Sequence, residues 1–327
     1  MAIVLVATGG TISSTSSHEG AEPTRGGAAL LNQAGIECDV DVLDWRTAGS
    51  FALSSLDMFT LAGQIGDLLS DGATGVVVTH GTDSMEETVF AVALVLGSAP
   101  VVVTGAQRSF DDHAPDGPHN LRAAFAMAAN GASVLLGPVL AFDDLGFQAR
   151  GVRKVDTLRT PAFDSPGRGP VIRMWDGTPR ILSQGHVVRP LDGLDSVLGE
   201  LPDDPPYVPV VPMLPGSDGT TLRAVGAQHP VAVVLQAMGS GNASPADVEI
   251  ASELARAGTP VLVTSRVHAG PVTPMYAGAG SALAEAGALF CDDLSPWQAR
   301  ILASACALAL PHDPLAPATQ WLAAGQP

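Results

Sequence analysis

The sequence predicts an α/β protein, a mostly parallel sheet covered by helices, in about two domains. Three observations carry this. Short continuous β-branched runs recur, helical patterns fall between them, and 327 residues is a length suited to roughly two domains. An apolar fraction of 46% with 36 glycines and 26 prolines fits a globular chain with many turns.

Ala2–Ala7 (AIVLVA) is apolar throughout, the mark of a strand buried on both faces, and it ends at Thr8-Gly9-Gly10-Thr11. The small, polar stretch from Ser13 to Gly27 reads as a long mobile loop. Ser54-Ser55 precede a helical pattern, Met58 to Leu69, closed by Gly72. Gly75–Thr79 is a second buried strand, ending at His80-Gly81-Thr82-Asp83. A helix follows, and Pro100–Thr104 is a third strand, ending at Gly105-Ala106. Asp116-Gly117-Pro118 leads into another helix near Asn120. Ligands of such sheets bind outside the carboxyl ends of the strands, where these turns lie.

From Val134 to Leu182 the pattern changes to short strands and turns, read as hairpins at the sheet edge. Residues 189–206 are acidic and proline-rich and read as a linker, which sets expected domains at 1–188 and 207–327. The alternation resumes with Val208–Val211, Val231–Ala237 and Val261–Thr264. Ser244-Pro245-Ala246-Asp247 and Ser295-Pro296-Trp297-Gln298 carry helix-start signals.

Sixteen basic against 33 acidic residues give a net charge of −17, with no basic run, so nucleic acid and anionic membranes are poor partners. The longest apolar stretch, Val89 to Leu96, is too short to span a bilayer. Cys38, Cys291 and Cys306 are far apart and in no metal-ligand spacing, as expected of small buried hydrophobes in a reducing compartment. With no cationic leader before the first strand, the chain reads as cytoplasmic. No metal cluster or cofactor motif is present.

Lys154 is the only lysine; the other fifteen basic residues are arginine. Composition bias explains the arginines but not the one exception. A lysine amine can lose its proton where a guanidinium cannot, so Lys154 is a candidate base.

Thr8-Gly9-Gly10-Thr11-Ile12 lacks both the G-x-G-x-x-G and the Gly-Lys-Ser/Thr patterns of nucleotide sites. It reads either as a simple turn or as a hydroxyl held at a strand end beside amides that can face an oxyanion. In His80-Gly81-Thr82-Asp83-Ser84-Met85-Glu86-Glu87, Asp83 and Glu86 have the spacing of an acidic capping box, and His80 reads as structural. A threonine nucleophile needs a base within reach and an orienting partner for that base. Thr82, Lys154 and Asp83 fit those roles.

These two segments resemble the signature segments of the bacterial-type L-asparaginases. Colinear matches follow at Gly105-Ala106-Gln107-Arg108, Asp116 to Leu121, Arg150 to Lys154, Thr264 to Val267 and Leu294 to Arg300. The resemblance spans nearly the whole chain. It implies a larger N-terminal, flavodoxin-like or Rossmann-like domain and a smaller C-terminal α/β domain, assembled as a homodimer or homotetramer. It implies hydrolysis of L-asparagine, with L-glutamine as the alternative substrate, by Thr11 as nucleophile and with Thr82, Asp83 and Lys154 as a second catalytic group. Ser55 is implied to hold the substrate α-carboxylate, Asp83 its α-amine, and the backbone around Ala106 the scissile amide.

The family's loop tyrosine has no counterpart, since Tyr207 and Tyr276 are the only tyrosines. Val272 to Gly278 holds no acid where periplasmic-type members place a glutamate, and Leu56 replaces a substrate-binding glutamine. Tyr276 is the candidate to take over part of the Thr11 activation, with interface packing as its alternative. Two rival readings remain: an amidotransferase subunit that releases ammonia for transfer-RNA amidation, expected to carry a further domain, and a non-catalytic small-molecule binding module.

Overall fold

The computed structural model describes residues 3–37, 40–130 and 136–324; Ala2, Cys38 and Val134 lie outside them. The chain divides into two compact units, residues 1–190 and 191–327.

The first unit opens with β1 (Ile3–Gly9), whose Leu5 and Val6 have no exposed surface. Then come β2 (Ser14–Ser17) and β3 (Gly20–Pro23), α1 (Gly27–Ala34) and β4 (Asp41–Ala48). Helix α2 (Ser55–Ser70), β5 (Gly75–Thr79), α3 (Met85–Leu96), β6 (Val101–Thr104) and α4 (Gly117–Ala129) follow. Strands β7 (Val139–Phe142) and β8 (Leu145–Gln148), the short pair β9 (Arg153–Lys154) and β10 (Phe163–Asp164), and the hairpin β11 (Ile172–Trp175) and β12 (Thr178–Ile181) complete it.

Eight strands form one sheet in the order β12-β11-β8-β7-β6-β5-β1-β4. From β7 to β4 all neighbours are parallel; β8, β11 and β12 add antiparallel hairpins at one edge. The central strands are apolar on both faces because helices cover both. Strand β4 closes the other edge, and its Asp41, Asp44 and Arg46 keep it from reading as a buried run.

Helix α2 begins at a capping box. Ser54 Oγ accepts from Asp57 N–H, and Ser54 N–H donates to Asp57 Oδ2 at 2.8 Å. Residues 13–27, read as a loop, instead hold the β2–β3 hairpin, paired from Ser14↔Pro23 to Ser17↔Gly20. No apolar alternation announces it. Much of its support is tertiary: Phe110 N–H donates to Ser14 O (2.8 Å), and Asp111 Oδ2 accepts from Ser16 N–H (2.9 Å).

The second unit has a four-stranded parallel sheet ordered β13 (Val210–Pro212), β14 (Val233–Ala237), β15 (Val261–Ser265) and β16 (Leu289–Phe290). Its helices include Pro245–Arg256 and Pro296–Ala309, capped by Ser244 and Ser295, whose Oγ atoms accept from Asp247 and Gln298 N–H at 3.1 Å. Within the proline-rich stretch, Leu191 and Leu194 are buried, and a 3-10 turn spans Asp195–Glu200. Cys291 and Cys306 are buried and in no disulfide, and burial pushes the Cys306 thiol up to about 12. Among the described residues no helix is long and apolar enough to cross a membrane.

Candidate active site

Strands β1 and β5 are parallel neighbours with Ala7 opposite Thr79, so their carboxyl ends emerge side by side. Thr8 Oγ1 ties the two together by donating to Thr79 O at 2.9 Å. Beyond them the turns meet backbone to backbone. A Cβ on Gly10 (φ +78°) would lie 2.3 Å from Gly81 Cα, and one on Gly81 would lie 2.6 Å from Ser50 Oγ. Only glycine permits such an approach.

Thr11 follows in a 3-10 turn, steadied by Ser13 and Ser14, whose hydroxyls both donate to Gly10 O at 2.9 Å. A cavity of about 110 Å³ opens there, and Thr11, Ser14, Ser50, Phe51, Thr82 and Asp83 help to line it. Ala21 and Pro23 of the β3 strand form part of its wall. Among the described residues, none bonds to the Thr11 hydroxyl.

Lys154 reaches this cluster from β9. Its Nζ stands 2.7 Å from Thr82 Oγ1 and 2.9 Å from Asp83 Oδ1. The Thr82 hydroxyl in turn donates to Gln107 Oε1 at 3.1 Å. Gln107 and Arg108 are held by their own N–H groups, which donate to the two Asp116 carboxylate oxygens at 3.0 and 2.9 Å. Below, Lys154 N–H donates to Glu86 Oε2.

Burial pushes the Glu86 carboxyl up to about 7, against the lowering effect of the Lys154 N–H. His80 is fully buried; its Nδ1 meets Gly81 O at 2.7 Å and its Nε2 meets Thr88 Oγ1 at 3.0 Å. Burial pulls its imidazole down to about 4. A carbonyl can only accept, so Nδ1 carries the proton and the ring is neutral. His80 is a packed histidine.

The acidic capping box at Asp83 and Glu86 does not form. Helix α3 starts after Ser84 without a side-chain cap, because Lys154 engages both carboxylates. Thr11, Thr82, Asp83 and Lys154 are thus gathered in one place. Ser55 is fully buried in the first turn of α2, its Oγ has no hydrogen-bond partner among the described residues, and Ser50 is among the residues that line the cavity. Ala106 is fully buried beside Gln107. Tyr276 belongs to the second unit, where its side chain is exposed.

The sequence assigns no role at the site to Ser14, Ser50, Phe51, Glu86 or Gln107. Ser50 and Phe51 sit in no recognisable motif, and only the register of β1, β4 and β5 brings them here. Among the described residues no group of three or more His, Cys, Asp or Glu is placed to hold a metal ion.

Comparison with known proteins adds an independent line. Residues 2–186 match the family model described as "Asparaginase, N-terminal", and residues 207–314 match "Glutaminase/Asparaginase C-terminal domain". A "Probable L-asparaginase" of Deinococcus radiodurans is 34% identical over 306 residues, covering 92% of this chain and 91% of that protein. A glutamyl-tRNA(Gln) amidotransferase subunit of Methanothermobacter thermautotrophicus is 29% identical over 305 residues, covering 90% of this chain and 69% of that protein. The crystal structure of a "Probable Cytoplasmic L-asparaginase" from Campylobacter jejuni superposes with a TM-score of 0.84 at 27% identity over 98% of each chain. With both family models matched along nearly its whole length, the chain belongs to the asparaginase family.

Proposed function

We propose that the protein hydrolyses the side-chain amide of L-asparagine to L-aspartate and ammonia through two threonines on one cavity. The observation that carries this reading is the Thr82–Lys154–Asp83 network facing the cavity that Thr11 also lines.

In the first half-reaction Thr11 Oγ1 attacks the amide carbon. The hydroxyl proton goes to the departing nitrogen, the C–N bond breaks, and ammonia leaves a β-aspartyl ester on Thr11. In the second, water adds to that ester, the C–O bond to Thr11 breaks, and aspartate leaves with the Thr11 hydroxyl restored. Thr82 positions and activates the water, Lys154 takes the water proton, which returns to Thr11 Oγ1 as the C–O bond breaks, and Asp83 orients the lysine amine while receiving the substrate's ammonium group. The main chain at Ala106 binds the amide. Splitting one difficult acyl transfer into two easier ones is the advantage of a covalent nucleophile. Water is the only co-reactant, so the reaction as written needs no cofactor.

The experiment is ammonia release from free L-asparagine and L-glutamine, with kcat/KM compared. The two amides differ by one methylene, worth only ~1–3 kcal/mol in a pocket, so the ratio has to be measured. Thr11→Val is expected to lower kcat by roughly a thousandfold or more. Ammonia release at the wild-type rate from that variant refutes Thr11 as nucleophile. Size measurement in solution is expected to give a homodimer or homotetramer.

The likeness to the Methanothermobacter amidotransferase protein favours one second reading, ammonia supply to a transfer-RNA amidation enzyme. Weak ammonia release from free amino acids, raised by a partner protein, would select it.

A further inference from the structure

The hydrogen bonds around Gln107 have a fixed direction. Its side-chain amide bridges Thr82 Oγ1 and the main-chain carbonyl of Arg159. A carbonyl can only accept, so the Gln107 atom 3.2 Å from Arg159 O is Nε2. Oε1 therefore faces Thr82, and the hydroxyl must donate to it. With its one proton so engaged, Thr82 Oγ1 meets Lys154 Nζ as an acceptor, and Nζ donates both to it and to Asp83 Oδ1.

This is not the arrangement in which Lys154 acts as a base. To take the Thr82 proton, the nitrogen must present its lone pair, and the hydroxyl must turn from Gln107 to Nζ. Gln107 Oε1 and Lys154 Nζ compete for one proton. The glutamine is not free to drift, since its backbone is pinned by Asp116, which also accepts from Asn120 Nδ2 at 3.3 Å.

Resting on the hydrolase reading above, we propose that Gln107 is a positioning residue that holds the Thr82 proton away from Lys154 and so sets the pH range in which the pair works as a base. Charged and titratable groups surround the pair. Asp83, Glu86 and Glu87 lie at the start of α3, Arg153 precedes Lys154, and Arg108, Asp116 and Arg159 lie on the Gln107 side. A substitution at Gln107 leaves these charged groups in place; Met and Glu alike give up the Nε2–H bond to Arg159 O, and they differ in what they offer the Thr82 proton.

Lys154 being the only lysine, protein labelled with ¹³C-lysine has a single side-chain signal to titrate, whether or not the protein turns over. Gln107→Met keeps the length and removes the acceptor. The titration midpoint of Lys154, and the acid limb of the activity profile with it, is expected to move down by roughly half to one pH unit, a hydrogen bond's worth. Gln107→Glu supplies a stronger acceptor and a negative charge, and should move both upward. KM for asparagine should stay within about threefold. Opposite shifts in the two variants establish the role. Unchanged midpoints, or shifts of the same sign, overturn it and leave Gln107 a packing residue. Ammonia release by the wild-type protein is read separately, so failure of the hydrolase reading shows itself apart from the lysine titration.

Discussion

Gly10 and Gly81 touch through their main chains, and no Cβ fits on either side of that contact. Their meeting carries Thr11 and Thr82 onto one cavity from turns about seventy residues apart. Gly10→Ala adds a side chain at φ +78°, 2.3 Å from Gly81 Cα. It is expected to lower stability by ~1–3 kcal/mol and to depress kcat more than it alters KM. Denaturant midpoints and turnover numbers check this, and a fully active Gly10→Ala would show that the two turns need not touch.

Lys154→Met removes the amine but keeps the stem. The loss of kcat is expected to be about 10²–10⁴-fold, the range of a lost general base. Stability should change by less than ~1 kcal/mol, because the Asp83 carboxylate is 59% exposed and such ion pairs contribute little. Near-normal turnover would exclude Lys154 as the base.

Tyr276→Phe tests the expectation, raised by the sequence alone, that this tyrosine assists Thr11. A roughly tenfold drop in kcat supports it, that being about the value of one catalytic hydrogen bond. Unchanged turnover would leave the ring a packing element.

Glu86 and His80 make opposing contributions to the pH dependence of stability. Glu86 rises from 4.5 to about 7 in the fold, so its contribution is complete below pH 4.5 and is lost as pH climbs through 7. His80 falls from 6.5 to about 4, so its contribution is complete above pH 6.5 and is lost as pH falls through 4. Between about pH 4.5 and 6.5 the slopes have opposite sign and offset each other. Glu86→Gln keeps an acceptor for Lys154 N–H and removes one slope. Its melting temperature is expected to rise from about pH 4.5 to 6.5 where the wild type stays nearly flat. Identical pH profiles for the two proteins would rule out a shifted Glu86.

Asp111 pins the β2–β3 hairpin through Ser16, and that hairpin walls the cavity with Ala21 and Pro23. Asp111→Ala is expected to raise KM about three- to tenfold, the value of a lost hydrogen bond, with a smaller effect on kcat. Steady-state kinetics decide, and an unchanged KM would detach the hairpin from substrate binding.

Much of the site was legible because its signals are local. A buried strand announces itself by continuous β-branched residues, and the turn beyond it by glycine, so Thr11, Thr82 and Asp83 could be placed at strand ends. The lone lysine pointed to Lys154 through chemistry. Asp83 and Glu86 misled for the same reason: their spacing is that of a capping box, and nothing nearby reveals that residue 154 takes both. Ser50 shows the reverse, a serine in no recognisable motif that lines the cavity, while Ser55 of the matching motif is fully buried in α2.

By itself the sequence determined the α/β alternation, the strand ends at which the candidate residues gather, the capped helices and the family. These depend on periodicity and turn chemistry within a few residues. Only the tertiary structure decided which groups touch: Gly10 with Gly81, Lys154 with Thr82 and Glu86, Gln107 between Thr82 and Arg159, and the hairpin with Asp111. The physical reason is sequence distance. Those partners lie between 25 residues apart, for Thr82 and Gln107, and 95, for Ser16 and Asp111. Sheet register and loop packing join them, and no local pattern encodes either.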